Sequence, residues 1–190
     1  MEEGGVGLIS NMPHLNNTSI RFLSDISSHC RDIAVLISGK DSLVLRGKEY
    51  VQWTLEGRSY YGVICFESHS SPRKEALISN SCIAVGHEEH FYLYDFLINE
   101  LILRIKLNGY FDHLYKDGDL LFVTGAQDIY CIDLNCKQVR WITENLGIDG
   151  VIIESITETK IFGAGEWDPP NGWRDFELNK LSGAVKWLDK

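Results

Sequence analysis

The chain has little of what marks a metalloprotein, a hydrolase or a membrane-spanning helical protein. No apolar run approaches the ~18 residues that a membrane helix needs. There is no G-x-S-x-G elbow. The cysteines, Cys30, Cys65, Cys82, Cys131 and Cys136, are odd in number and lack paired C-x-x-C spacing, so no zinc site is expected. They read as reduced thiols packed as small hydrophobes. Cys131 and Cys136 flank a turn, but a reducing compartment disfavours a disulfide between them. The start, MEEGGVGLIS, carries acids where a secretory signal carries bases, which gives a cytoplasmic expectation.

Basic residues are scarce in one part of the chain. Residues 1–80 hold nine acids and eight bases, whereas residues 81–190 hold eighteen acids and ten bases. A phosphate backbone requires a basic footprint, so direct nucleic-acid binding is not expected. An acidic surface instead suits a basic protein partner, because complementary charge speeds encounter and rejects wrong partners.

What is present is a repeat. Asp133, Lys137 and Trp141 in IDLNCKQVRW have the offsets of Asn179, Gly183 and Trp187 in LNKLSGAVKW, and of Asp95, Asn99 and Leu103 in YDFLINELIL. Each reads as a β-hairpin whose Asp or Asn caps its own turn and whose Gly or Asn takes a left-handed backbone, a conformation for which Lys137 is a poor residue, so the middle copy is the weaker match. Ile83, Tyr92, Asp95, Leu103 and Gly109 recur 38 positions later as Leu121, Tyr130, Asp133, Trp141 and Gly147, and Leu121 and Phe122 recur 40 later as Ile161 and Phe162. Periods of this length indicate stacked supersecondary units.

The spacing Asp133 to Trp141 and Asn179 to Trp187 resembles the blade signature of β-propellers of the WD-repeat and quinoprotein-like kind. In those proteins the Trp docks between adjacent four-stranded blades. The resemblance spans Ile83 to Leu188, with Leu103 in place of the first Trp and Cys136-Lys137 in place of the usual turn; it implies no quinone or other cofactor. The fold expected is all-β, with tandem four-stranded antiparallel propeller-like units, three clear and one degenerate, in a compact ring or an open arc. Residues 1–190 then form a single β-rich domain. Residues 18–66 are the degenerate first unit with Trp53 in the docking role, and 67–80 are a linker or a short helix beginning near Pro72. Residues 81–188 are three repeats, the last lacking a fourth strand that Thr18 to Phe22 would supply.

His87-Glu-Glu-His90 has its second His at i+3 rather than the i+4 of a zinc helix, so no metal is expected there and the segment reads as a solvated turn. The regular unit isolates Gly163 to Trp173 as an insertion in which Glu166 and Asp168 stand among Trp167, Trp173, Pro169 and Pro170. Stiffened loops with aromatic anchors are what interfaces concentrate, although the two Trp would equally cap the stack, leaving Glu166 and Asp168 near the surface. With Asp112, Asp117 and Asp119 these residues form the expected partner-binding set. The reading is a non-catalytic protein-binding domain, most specifically a cytoplasmic immunity-type inhibitor that blocks a basic toxin such as a nuclease. The alternatives are a generic propeller-like scaffold and a hydrolase using Asp112, His113 and Glu166.

Overall fold

Residues 19–38, 47–66, 73–168 and 172–188 are described by the computed structural model. Pro72, residues 39–46 of the expected first unit and Pro169 to Asn171 of the insertion lie outside them. The first sheet comprises β1 (Ser19–Leu23), a short helix α1 (Ser28–Asp32), β2 (Val35–Leu36), β3 (Gly47–Leu55) and β4 (Arg58–Phe66). The second holds β5 (Lys74–Ser79), β6 (Cys82–His87), β7 (His90–Asp95) and β8 (Glu100–Lys106), and the third β9 (Phe111–Asp117), β10 (Leu120–Gly125), β11 (Ile129–Asp133) and β12 (Gln138–Thr143). The fourth holds β13 (Val151–Ile156), β14 (Lys160–Glu166), β15 (Trp173–Asn179) and β16 (Val185–Trp187). Sheets two to four are antiparallel meanders in chain order.

Alternation along each strand feeds two different layers. In β7, Tyr92 and Tyr94 pack with Val51, Trp53 and Ile64 of the first sheet, while Phe91 and Leu93 pack with Leu121, Val123 and Ile132 of the third. In turn Phe122, Cys131 and Trp141 on the far side of the third sheet meet Ile153, Ile161, Phe176 and Leu178 of the fourth. Strands covered on both sides must be apolar on both, which is why β6, β7 and β10 read as continuous hydrophobic runs. Each fully buried Phe or Leu in these layers contributes roughly 1.5–3 kcal/mol.

The turns behave as their sequences dictate. Asp133 accepts from the amides of Asn135 and Cys136 at 3.0 and 2.9 Å, Asn179 from those of Leu181 and Ser182 at 3.0 Å, and Asp95 from that of Leu97 at 2.9 Å. Asn99, Lys137 and Gly183 are the left-handed residues, at φ 59°, 55° and 72°. Trp141 docks on the next sheet's turn, its indole N–H donating to the Lys180 carbonyl at 3.0 Å. Gly183 is required there twice over, by its φ and because a Cβ would come within 2.6 Å of the Trp141 ring.

Four expectations are corrected. The stretch taken as a linker or helix contains β5, which is the first strand of the second sheet. Its residues pair with β6 along their whole length, and that pairing overrides the helical reading of RKEAL. The units therefore start one strand earlier than expected. The fourth sheet consequently has four strands of its own, with Val151–Ile156 as the first. The Thr18 to Phe22 segment does not complete it, because Ser19–Leu23 pairs with β3.

The first sheet also departs from a blade in polarity. Glu49, near the start of β3, reaches Lys74 at the start of β5 (2.6 Å) and His87 at the end of β6 (3.0 Å), so β3 begins at the end of the molecule where β5 begins. β1 is antiparallel to β3, with Leu23 opposite Tyr50, and thus runs against β5. β2 moreover pairs parallel to β4. Trp53 is buried against the second sheet and stacks on Tyr60 at 5.7 Å. Packing between sheets follows the order β1, β5, β9, β13.

Candidate partner-binding face

Strands β5, β9 and β13 all start at one end of the stack, which places the connections 88–89, 107–110, 126–128, 144–150 and 167–168 together there. Their charged residues are Glu88, Glu89, Asp128, Glu144, Asp149 and Asp168, with no Lys or Arg. Cations beside them are engaged, Arg73 of the β4–β5 connection with Asp112 at 2.9 Å and, on strand ends, Lys74 with Glu49 and Lys106 with Glu89 at 3.4 Å.

Backbone hydrogen bonds join these connections in series. Leu107 N–H donates to the Glu89 carbonyl at 2.8 Å, Ala126 to Tyr110 at 3.0 Å, and Leu146 to Gln127 at 2.8 Å. Gly150 donates to Ala126 at 2.9 Å, Glu166 to Gly150 at 2.9 Å, and Ile148 to Glu166 at 2.7 Å. Asp128, 1% exposed, reinforces the series by accepting from Asn108 Nδ2 at 2.7 Å and the Asn145 amide at 3.0 Å. The acidic face is therefore held in one geometry before any partner arrives.

Tyr110 connects two members of the expected set, Asp112 and the insertion around Glu166. On one side the Arg73 guanidinium lies 4.6 Å from the Tyr110 ring centroid while bonding Asp112. On the other, the Tyr110 hydroxyl donates to the Asp149 carbonyl and stands 3.4 Å from Asp149 Oδ1. Trp173 Cη2, Tyr110 Oη and Glu166 Oε2 converge on Gly150, lying 3.5, 3.8 and 4.0 Å from where its Cβ would be. Asp112, Glu166 and Trp173 thus share one region, joined by a tyrosine whose only sequence signal is its place at a strand start.

The insertion is more deeply seated than expected. Glu166 is 9% exposed, buried by the loop 144–150 instead of lying near the surface. Trp167 is partly exposed and meets Trp187 edge-on at 5.8 Å, and Trp187 is covered in turn by Phe176 and the Arg174 guanidinium. Asp168 is exposed at the rim.

Asp117 and Asp119 do not join this region. They sit at the opposite end of the stack, at the β9–β10 turn. There Asp117 pairs with Lys180, and the Asp119 carbonyl accepts from the Leu134 amide at 2.9 Å. Asp112 and His113 are likewise tied into contacts between the second and third sheets: His113 Nδ1 meets Glu75 at 2.6 Å and its Nε2 lies 3.7 Å from Asp112. Burial pushes the Asp112 carboxyl up, against the opposing charges of Arg73 and His113. The His87 turn is not solvated either. His87 is 1% exposed, between Phe66 and Glu49, and burial pushes its pKa down, while His90 stacks on Tyr92.

No family profile matches the sequence, and no curated protein does. Several solved structures are similar in shape. BamB from Moraxella catarrhalis has 16% identity and a TM-score of 0.48, over 82% of this chain and 47% of that one. A HIRA fragment has 12% identity and a TM-score of 0.49, over 98% and 57%. Hydrazine synthase of Kuenenia stuttgartiensis has 12% identity and a TM-score of 0.47, over 73% and 43%. The chain thus spans about half the length of the structures it resembles. On its own sheet topology it is built of β-propeller-type repeats: three meander blades of one polarity stacked on a first sheet of the other.

Proposed function

We propose that the chain is a non-catalytic protein-binding domain that presents the loop end of its stack to a basic protein surface. The observation carrying this reading is the segregation of charge: the connections 88–89, 107–110, 126–128, 144–150 and 167–168 hold acids and no bases, with Arg73 beside them paired to Asp112, whereas at the opposite end Lys137 and Lys180 are paired with Asp95 and Asp117. Fixed backbone supports it, because a surface already ordered loses little conformational entropy on binding. A basic toxin such as a nuclease is one partner of this chemistry; its phosphate site would meet carboxylates.

The test compares capture by the wild type, by a loop-end reversal (Glu144→Lys, Asp149→Lys, Asp168→Lys) and by an opposite-end reversal (Asp119→Lys, Glu158→Lys). A basic protein retained by the wild type and the opposite-end variant but not by the loop-end variant supports the reading, and its association rate should fall with rising salt. Equal retention by all three refutes it.

A further inference from the structure

Three buried acids of this protein meet donors that hold them in place. Asp95 is held by Lys137 and the Leu97 amide, Asp112 by Arg73, and Asp128 by Asn108 and the Asn145 amide. The Glu166 side chain, nine-tenths buried, has no hydrogen-bond or ion-pair partner among the described residues. Among the described residues the fully enclosed side-chain polar atom without a partner is Trp53 Nε1, so the Glu166 carboxylate keeps a path to solvent, and a cation arriving there gains a charge-assisted contact in a largely buried setting.

The surroundings define which cation. Glu166 Oε2, Tyr110 Oη and Trp173 Cη2 surround the bare Cα of Gly150 at 4.0, 3.8 and 3.5 Å from its missing Cβ, with exposed Asp149 at the rim. A carboxylate oxygen, a phenol and an indole around a glycine floor make an electron-rich niche suited to a cation carried on apolar methylenes. Of the Glu166 carboxylate, Oε2 stands among the atoms nearest Gly150, and a single acceptor suits an ammonium better than a bidentate guanidinium fork. We infer that a lysine side chain of the partner enters beside Gly150, its stem against Trp173 and its ammonium on Glu166. This rests on the proposed binding of a basic protein and names the group that anchors it.

Two substitutions probe the niche without touching the exposed acids. Glu166→Gln removes the charge and keeps the shape. Gly150→Ala fills the floor at ordinary van der Waals distances, and Gly150 is not among the left-handed residues, so the fold is retained. The probe is a short oligolysine peptide titrated calorimetrically into the full chain at low salt, with oligoarginine of equal length for comparison. The expected result is that each substitution weakens oligolysine binding about tenfold or more with unchanged melting temperature, and that wild type prefers oligolysine. If the loop-end reversal abolishes binding while Glu166→Gln and Gly150→Ala leave it unchanged, or if oligoarginine binds more tightly, the lysine niche is refuted and the acidic face stands. If oligolysine does not bind wild type at all, both fall.

Discussion

Lys137 occupies a left-handed turn position at φ 55° and pairs through its ammonium with Asp95, the turn-capping aspartate of the preceding blade. A left-handed backbone costs a lysine on the order of 1 kcal/mol relative to glycine. The cost is offset across the blade boundary, since Asp95 is only 1% exposed and an unpaired charge there would be far more expensive.

Lys137→Met is accordingly expected to destabilise the fold by about 2–4 kcal/mol in urea unfolding. Lys137→Gly should cost less, because it relieves the strain while losing the same pair. Asp95→Asn in the Lys137→Met background should restore part of the loss, and a double-mutant cycle reads the coupling.

The same pair sets an acid limit. Burial pushes the Asp95 carboxyl up, but Lys137, the Leu97 amide and Ser81 outweigh it and hold it below its ordinary 3.8. A depressed carboxylate contributes stability in full above its unfolded pKa and loses it as pH falls through the folded value. Unfolding free energy of the wild type should therefore drop on acidification below about pH 4 more steeply than that of Lys137→Met.

His87 acts over a higher window. Burial holds its pKa below 6.5 against the opposing pull of Glu49, so the folded state binds its proton less readily than the unfolded chain. Stability from this group is complete above pH 6.5 and declines as pH falls through the folded pKa. His87→Gln should flatten the stability curve just below pH 6.5 at some overall cost, as measured by melting temperature against pH.

Gly183→Ala should be among the most damaging single-methyl additions, by about 2–4 kcal/mol, because the new Cβ adopts an unfavourable φ and strikes Trp141. Trp141→Phe, which removes the bond to Lys180 and part of the ring, should cost about 1–3 kcal/mol. Both are read from urea midpoints.

Asp128→Ala leaves the Asn108 amide and the Asn145 N–H without their acceptor, a loss of about 1–3 kcal/mol. Amide hydrogen exchange should rise first in residues 144–150, and affinity for a basic partner should fall although Asp128 is itself buried.

Local chemistry is what made the repeats legible. Asp95, Asp133 and Asn179 cap turns with their own side chains, and the large apolar residue eight positions on is fixed by the hairpin, so spacing alone reveals them. The strand at which a unit starts is not local: a period of 38 looks the same from any origin, and Lys-Glu-Ala-Leu of β5 has helical propensity that only pairing with β6 overrides. Strand direction leaves no trace in alternation, so the reversed polarity of the first sheet was equally invisible. At the site, charge and position put Asp112 and Glu166 in one expected set, but Tyr110 joins them only once the third and fourth sheets pack.

The opposed ends of the stack have a consequence before contact. Acids gathered in the loop-end connections, against a balance of Asp119 and Glu158 with Lys137 and Lys180 in the opposite connections, give the described connections a charge difference, and so a dipole, along the strands. In the field of an approaching polycation that dipole experiences a torque, and the acidic end turns forward. Productive collisions are thereby favoured over random ones by orientation as well as by attraction, and added salt should diminish both together.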